Sequence, residues 1–327
     1  MTFLFALYGR LELALPLMAG SDVWALTNSY SAVQNNGNVT GQTLFVPGMS
    51  TITTAYRYDG WNRLAKAMEN LPPHADESSC AASGSQWCRF FGYSSGGNGN
   101  RAVTNYSGQG QVANQPAGFN ANNRIADGGW QYDARGNVIK QASGETFAYD
   151  AENRVVAYCP SDGNPVNCTQ TAGNNRTLYY YDGEGHRVQS SGPNGTTAFV
   201  YDAAGNLAAE YGTAGNACVT CYVTTDHLGS TRVVTDQNGC AVFRQDYLPF
   251  GETVLTGSGN LRMSATGGPR CTGTNGYTSA AGSPVRQGFT GKERDSESGL
   301  DYFGARYMSS AQGRWTSGLE KCAVPPS

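Results

Sequence analysis

Short runs of alternating apolar and polar residues recur along much of the chain, and polar turns rich in Gly and Asn separate them. Leu178 to Tyr181 and Ala198 to Tyr201 have the two-residue period of β-strands, which places Tyr179 and Tyr181 on one face. Runs this short are typical of strands rather than helices. The alternation therefore predicts paired β-strands joined by tight turns.

A Tyr-Asp dipeptide marks five of these turns, and the third residue after each Asp is Gly or Asn. The five sets are Tyr58, Asp59 and Asn62; Tyr132, Asp133 and Gly136; Tyr149, Asp150 and Asn153; Tyr181, Asp182 and Gly185; and Tyr201, Asp202 and Gly205. The Asp can accept hydrogen bonds from turn amides, and Gly or Asn tolerates the positive φ of a reversal. Each repeat is predicted to form one β-hairpin, and the hairpins must stack, since a single hairpin is not stable in water.

We call the Gly or Asn three positions after each Asp the corner residue. In most repeats the returning strand begins with an aliphatic residue two positions after this corner. Leu64, Val138, Val155 and Leu207 occupy this position, but the fourth repeat has Arg187 there, so its register stays open. Asp226 to Gly229 has the same corner spacing without the Tyr.

The composition is that of a β-rich chain, and its low charge suits a protein that works outside the cytoplasm or encloses much of its surface. The chain has 327 residues with 43 Gly, 19 Tyr and three Ile, and it has 14% charged residues and a net charge of −3. So little charge gives no reason to expect nucleic acid or an anionic membrane as a partner. No apolar stretch reaches the roughly 18 residues of a membrane span, and the N-terminus lacks the basic segment of a signal peptide.

The nine cysteines leave two questions open. Cys80 with Cys88, and Cys159 with Cys168, bracket polar segments and would suit disulfides in an oxidising compartment, with free thiols as the alternative. Zinc binding by Cys218, Cys221 and His227 would need a fourth ligand that the sequence does not offer.

No residue set predicts an enzyme, a cofactor or a metal site. Asp295 and Asp301 could form an acid pair, but their charged and polar surroundings favour a solvated loop. Asp226, His227 and Ser230 are too close in one turn to form a triad. His74 and His186 lie in predicted turns and are expected to be exposed rather than to act as ligands. The charged run from Lys292 to Glu297 is either a solvated turn or an ion-pair network.

Three C-terminal motifs carry a resemblance to a known family. They are Asp226-His-Leu-Gly-Ser-Thr-Arg232, Tyr247-Leu-Pro-Phe-Gly-Glu252, and the stretch from Phe289 to Tyr307 followed by Gly313-Arg314-Trp315. With the repeats, they resemble the YD repeats and repeat-associated core of Rhs (rearrangement hotspot) proteins, which also occur in insecticidal toxin-complex C components and in teneurins. The positions that match the core signature are Asp226, His227, Gly229, Arg232, Phe250, Gly251, Gly291, Lys292, Glu293, Asp295, Gly299, Leu300, Tyr302, Arg306, Tyr307, Gly313 and Arg314.

The resemblance implies an all-β fold in which stacked hairpins form a curved sheet or partial hollow shell, closed at one end by the core. It divides the chain into an N-terminal segment (1–55), a YD-repeat region (56–217), the core (218–317) and a short atypical tail (318–327). If the charged run is an ion-pair network, it would lock the core to the shell.

The function that the resemblance implies is structural: encapsulation and presentation of a polypeptide in a polymorphic toxin system, outside the cell or at its surface. The expected partners are the remainder of an Rhs shell or an enclosed effector. Met308-Ser309-Ser310 and Gly318-Leu319-Glu320 replace the family's Asp- and Pro-containing motifs, and no recognisable effector follows in this sequence. Residual self-cleavage at the C-terminus stays open as a third hypothesis. The alternative is a cell-surface adhesin or carbohydrate-binding module that uses exposed Tyr and Asn side chains.

Overall fold

A computed structural model describes residues 25–33, 35–45, 51–94, 99–108, 118–160, 163–170, 175–205, 207–212, 220–237, 241–254 and 285–317. The strands in these residues pair antiparallel throughout, and helix is limited to one α-helical turn and two short 3₁₀ turns. The prediction of an all-β fold built from stacked hairpins is confirmed. Among the described residues, no helix has the length and hydrophobicity that crossing a membrane would require.

The chain forms two compact units, each built from two stretches of sequence. The first unit comprises Met1–Gln115 and Ala217–Val285, and the second comprises Pro116–Asn216 and Arg286–Ser327. The predicted boundaries near residues 55 and 217 remain predictions.

Each unit begins with a sheet whose strands lie in sequence order, because each strand turns back onto its predecessor. The first unit has β1 (Ala25–Tyr30), β2 (Val39–Phe45), β3 (Ile52–Tyr58), β4 (Leu64–Glu69), β5 (Trp87–Tyr93) and β6 (Arg101–Gly108), with the helical turn α1 (Cys80–Ser83) before β5. The second unit has β7 (Gln131–Tyr132), β8 (Val138–Lys140), β9 (Thr146–Tyr149), β10 (Val155–Cys159), β11 (Thr177–Tyr181), β12 (Arg187–Gly192), β13 (Gly195–Tyr201) and β14 (Leu207–Gly212).

The C-terminal third contributes smaller sheets to both units. In the first unit these are β15 (Cys221–Thr225), β16 (Thr231–Asp236) and β17 (Ala241–Arg244), and the pair β18 (Asp246–Tyr247) and β19 (Thr253–Val254). In the second unit β20 (Glu293–Asp295), β21 (Leu300–Tyr302), β22 (Tyr307–Ser309) and β23 (Arg314–Trp315) form a four-stranded sheet. The 3₁₀ turns are Pro165–Asn167 and Phe289–Gly291.

Each large sheet packs its apolar face against the smaller sheet of the same unit. In the first unit, Trp87 and Phe91 contact Leu248 and Val254. In the second unit, the hydrophobic core contains side chains from both sheets. The large sheet contributes Phe147, Val155, Tyr158 and Tyr179, and the C-terminal sheet contributes Leu300, Tyr302 and Tyr307. Burial of these faces accounts for the heavy use of aromatic residues.

Two disulfides close loops between neighbouring strands, as one of the two sequence interpretations predicts. Cys80 is bonded to Cys88 and Cys159 to Cys168. Cys221 is also disulfide-bonded, so it is not available as a thiolate ligand for the zinc set considered above.

Candidate functional site

The five Tyr-Asp repeats all form hairpin corners of one geometry. In the first, both the amide of Trp61 and the amide of Arg63 donate to Asp59 Oδ1, each at 2.9 Å. The corner residues have positive φ angles: 59° at Asn62, 96° at Gly136, 63° at Asn153, 90° at Gly185 and 77° at Gly205. A residue with a Cβ is strained there, which explains the restriction to Gly and Asn.

Every repeat Tyr also lies opposite the residue six positions later, next to a bulge in the pairing. The pairs are Tyr58 with Leu64, Tyr132 with Val138, Tyr149 with Val155, Tyr181 with Arg187, and Tyr201 with Leu207. The fourth repeat therefore has the same register as the others, and Arg187 occupies the position of an aliphatic residue.

The tyrosine hydroxyls connect successive hairpins. Tyr149 donates to the carbonyl of Val138 at 3.0 Å, and Tyr181 donates to the carbonyl of Val155 at 2.7 Å. Tyr201 donates in the same way to the carbonyl of Arg187, at 3.0 Å. Each acceptor lies two residues after the corner of the preceding hairpin, so each repeat is positioned by its predecessor. Burial raises the pKa of the Tyr181 hydroxyl, which therefore stays protonated as a donor.

Two further repeats escaped the sequence reasoning because Ser replaces Asp after the Tyr. Ser31 Oγ, which follows Tyr30, accepts from the amide of Val33 at 3.3 Å. Tyr93, which precedes Ser94, donates to the carbonyl of Leu64 at 2.9 Å. A search for Tyr-Ser as well as Tyr-Asp could have found both.

The glycines of the predicted core signature also lie at corners. Gly229 follows Asp226, whose Oδ1 accepts from the amides of Leu228 and Ser230 at 3.0 and 2.9 Å. The corner glycines have φ angles of 81° at Gly229, 94° at Gly251, 68° at Gly291, 67° at Gly299 and 61° at Gly313.

Most of the cationic side chains of the signature contact aromatic rings. Arg306 lies 4.2 Å from the centre of the Trp315 ring, and Lys292 lies 5.7 Å from that of Phe303. Arg314 stacks on Phe119 and donates to the carbonyl of Asn123 at 2.8 Å. His227 is exposed in its turn.

Arg187 is the centre of the most highly charged buried region in the described part of the second unit. Its side chain is 0% exposed, and its guanidinium donates to both carboxylate oxygens of Asp295 at 2.9 Å. The same group contacts Glu293 at 2.5 Å and donates to the Tyr307 hydroxyl at 2.7 Å. We call Arg187, Glu293, Asp295 and Tyr307 the Arg187 cluster.

Aromatic rings enclose the Arg187 cluster. The guanidinium carbon lies 4.5 Å from the centre of the Tyr302 ring, 5.0 Å from that of Tyr179 and 5.2 Å from that of Phe199. The Tyr179 hydroxyl donates to Glu297 at 2.8 Å. The charged run from Lys292 to Glu297 therefore contains a buried ion-pair network, and the solvated-turn interpretation is wrong for Glu293 and Asp295.

The expectation of a solvated loop at Asp295 and Asp301 is also wrong. Asp295 is 1% and Asp301 0% exposed, and each carboxylate has an arginine partner. Asp301 pairs with Arg294 at 2.7 Å across the hairpin, whereas Asp295 pairs with Arg187. Alternation places Asp295 and Asp301 on opposite faces of that hairpin, which does not suit a shared-proton acid pair.

Two acids compete for one cation in the Arg187 cluster. Burial raises the pKa of Glu293 to about 7; the charge of Arg187 opposes this shift, and that of Asp295 adds to it. Burial alone would lower the pKa of Arg187, but Asp295, Tyr307 and Glu293 together hold it well above its usual value. Because Asp295 already matches Arg187, Glu293 is the surplus acid of the cluster, and it also contacts the partly exposed Arg286 at 3.6 Å.

The described part of the first unit contains buried arginines in other settings. Arg232 and Arg244 share the carboxylate of Asp246, at 2.9 and 2.6 Å. Arg101 is 7% exposed, and none of its guanidinium nitrogens has a hydrogen-bond partner. Its guanidinium instead lies 5.1 Å from the centre of the Phe91 ring and 4.1 Å from that of Phe250.

The family comparison matches two of the repeats. The RHS Repeat model matches residues 181–217, which include the Tyr181 and Tyr201 corners. No curated protein matches the chain in sequence.

Solved structures with similar folds come from Tc toxins. The Tc holotoxin pore of Photorhabdus luminescens matches 92% of the chain with a TM-score of 0.56 at 17% identity. The TcdB2-TccC3 complex matches 90% with a TM-score of 0.55 at 19% identity, and the same complex without its hypervariable C-terminal region matches 90% with a TM-score of 0.55 at 18% identity. The chain spans 16% of the length of each of these chains. It therefore shares the fold of one part of these large toxin proteins.

Proposed function

We propose that this chain is part of the wall of an Rhs-type shell in a toxin system, with a structural and non-enzymatic role. The observation that carries the proposal is the hydrogen bond from a repeat tyrosine hydroxyl to a backbone carbonyl of the preceding hairpin, as from Tyr181 to Val155. We call this hydrogen bond the tyrosine tie. This device adds one hairpin after another in a constant register. A wall made in this way can be extended without redesign of its core.

The comparisons support the same role. The RHS repeat match falls on two of the tied hairpins, and the similar folds belong to toxin complexes. We propose that the partners of this chain are the remainder of such a shell or a polypeptide enclosed by it. The two disulfides support a secreted or cell-surface location, where thiols are oxidised.

The packing of the segment from Arg286 to Trp315 supports its assignment to the repeat-associated core, which the sequence predicts over residues 218–317. It packs on the large sheet of the second unit, and the Arg187 cluster holds it there through Glu293 and Asp295. In the proposed role this segment closes one end of the wall.

Protection of an unfolded passenger tests the proposal. A protease-sensitive peptide fused after Ser327 should be digested by trypsin more slowly than the same peptide fused to an unrelated β-protein. Equal digestion rates would contradict an enclosing role. The intact mass of the purified fusion tests the non-enzymatic part, since self-cleavage would give a shorter fragment.

A glycan-binding surface is the second candidate, and one observation favours it. Trp61 is 82% exposed at a hairpin corner, and Tyr106, Tyr211 and Tyr222 are also exposed. Exposed aromatic rings can stack on sugars. The repeat tyrosines do not support this role, because they are half-buried and their hydroxyls are engaged. Saturable binding on a glycan array that is lost in Trp61→Ala would favour the adhesin role; no binding would favour the wall.

A further inference from the structure

We propose that the corner of the fourth repeat is a binding site for a divalent transition-metal ion, with zinc the best match. Its ligands are Asp182, Glu184 and His186, each of which offers an atom within 4.8 Å of the other two. Imidazole nitrogen and carboxylate oxygen are normal zinc ligands. The site does not depend on the proposed shell function.

The turn fixes which atoms face the ion. Asp182 Oδ1 accepts from the amides of Glu184 and His186 at 3.0 and 2.8 Å, which leaves Oδ2 for a ligand. His186 Nδ1 shares a hydrogen bond with this Oδ2 at 3.1 Å, and a bound ion would take the place of that bond. Two ligands of a tetrahedral zinc, each at about 2.0–2.2 Å, stand roughly 3.3–3.5 Å apart, so this pair needs little adjustment.

The neighbouring repeat holds the imidazole in this orientation. The His186 ring stacks on Tyr201 with ring centres 4.8 Å apart and an interplanar angle of 26°. Nε2 faces Gly205, where an added Cβ would lie 3.0 Å from it. The Nδ1 edge therefore points to the carboxylates. Metal binding at Nδ1 leaves the ring proton on Nε2, so the imidazole binds in its neutral form.

At the preceding corner, the equivalent carboxylate pair contacts a cationic side chain. There Asp150 and Glu152 occupy the positions of Asp182 and Glu184, and Arg154 occupies that of His186. Arg154 Nε contacts Asp150 at 2.6 Å, and Arg154 Nη2 contacts Glu152 at 3.0 Å. One guanidinium thus fills the space between the two acids.

The fourth corner keeps both acids but replaces the guanidinium with a smaller side chain. Arg154 lies 4.9 Å from the ring centre of Tyr181, just as His186 lies against Tyr201, so the two side chains leave their corners in the same direction. A divalent ion would lie between the two acids, where the preceding corner has its guanidinium, and would take the ring nitrogen as a third ligand.

Zinc titration of the full chain tests the site, with free thiols alkylated and metal removed by chelation. Isothermal calorimetry should show a zinc site that disappears in His186→Arg, a variant that copies the preceding corner and is expected to fold. Glu184→Gln should weaken binding roughly tenfold or more, because even outer partners of a metal ligand contribute 10–100-fold.

Two matched substitutions make the test specific. Arg154→His should create a second zinc site, since Asp150 and Glu152 are already in place. Arg63→His should create none, because Trp61 occupies the Glu position of that corner. If His186→Arg binds as much zinc as the wild type, or if Arg154→His and Arg63→His behave alike, the proposal is wrong.

Discussion

Two buried arginines show how differently the two units fix their smaller sheets. Arg187 in the second unit is paired with Asp295 and Glu293, whereas Arg101 in the first unit has no hydrogen-bond partner and lies between Phe91 and Phe250. Arg187 is thus held by paired charges and Arg101 by ring contacts, although the first unit also has a buried ion-pair set in which Arg232 and Arg244 share Asp246. Removal of one member of a buried ion pair leaves the other charge unpaired in the low-dielectric interior, which destabilises the fold. Removal of a buried charge that has no close partner instead removes a desolvation penalty.

Arg187→Met should have the largest effect on stability. The substitution leaves the buried Asp295 without its cation and Glu293 with its 3.6 Å contact to Arg286, and it is expected to destabilise the second unit by about 3–5 kcal/mol. Urea denaturation followed by near-UV circular dichroism measures the change.

Arg101→Met is the matched control in the first unit. Methionine fits between two aromatic rings and breaks no hydrogen bond, and its main loss is the attraction between Arg101 and Glu252, so the free energy of unfolding should stay within about 1 kcal/mol of the wild type or rise. Equal losses in Arg187→Met and Arg101→Met would break the contrast between the units.

The stability of the second unit should depend on pH through Glu293. Burial first, and then the charge of Asp295, raise its pKa to about 7 from an ordinary value of 4.5, against the opposing charge of Arg187. The folded state binds this proton more tightly than the unfolded state. The contribution is therefore complete below about pH 4.5 and is lost as the pH rises through 7.

Glu293→Gln isolates this contribution. The wild type should lose stability relative to the variant between pH 5 and pH 8, by an amount on the order of 2 kcal/mol. Denaturation curves of both proteins at the two pH values give the difference. An unchanged difference would show that Glu293 keeps its charge throughout this range.

Replacement of a corner glycine should have an intermediate effect on stability. Gly185 has a φ of 90°, and its replacement by Ala is expected to cost about 1–2 kcal/mol. Gly183→Ala in the same turn is the control, because an added Cβ there meets nothing within 4 Å and its φ is not in the left-handed region. Thermal denaturation of both variants compares them, and a similar loss in each would argue against strain at the corner.

Removal of a single tyrosine tie should have the smallest effect on stability, and the loss should be equal in both units. Tyr201→Phe removes the bond to the carbonyl of Arg187, and Tyr93→Phe removes the bond to the carbonyl of Leu64. Each should cost about 1 kcal/mol, the usual net value of one hydrogen bond. A much larger loss for Tyr201→Phe would mean that this tie also supports the Arg187 cluster.

The hairpin fold could be predicted from the sequence because it depends on residues close together in the chain. The Arg187 cluster could not be predicted because its members are far apart in the sequence. The period-2 runs and the Asp-to-Gly corners act within a few residues, so the hairpins could be read directly. Arg187 and Asp295 are 108 positions apart, and nothing near either residue identifies its partner. The surroundings of Asp295 and Asp301 therefore looked solvated, although both residues are buried.

The serine repeats show a different limit. Tyr30-Ser31 and Tyr93-Ser94 keep parts of the repeat's hydrogen bonding while they lose its most recognisable residue. A hydroxyl can accept a turn amide as a carboxylate does, although less strongly. A pattern defined by chemistry rather than by residue identity would have included them.

The tyrosine tie has a consequence for how such a chain can change over evolutionary time. Since each hairpin takes its register from the one before it, as Tyr181 does from Val155, gain or loss of one whole repeat leaves the rules for all the others intact. Duplication and deletion in steps of a single unit are then the tolerated changes in length.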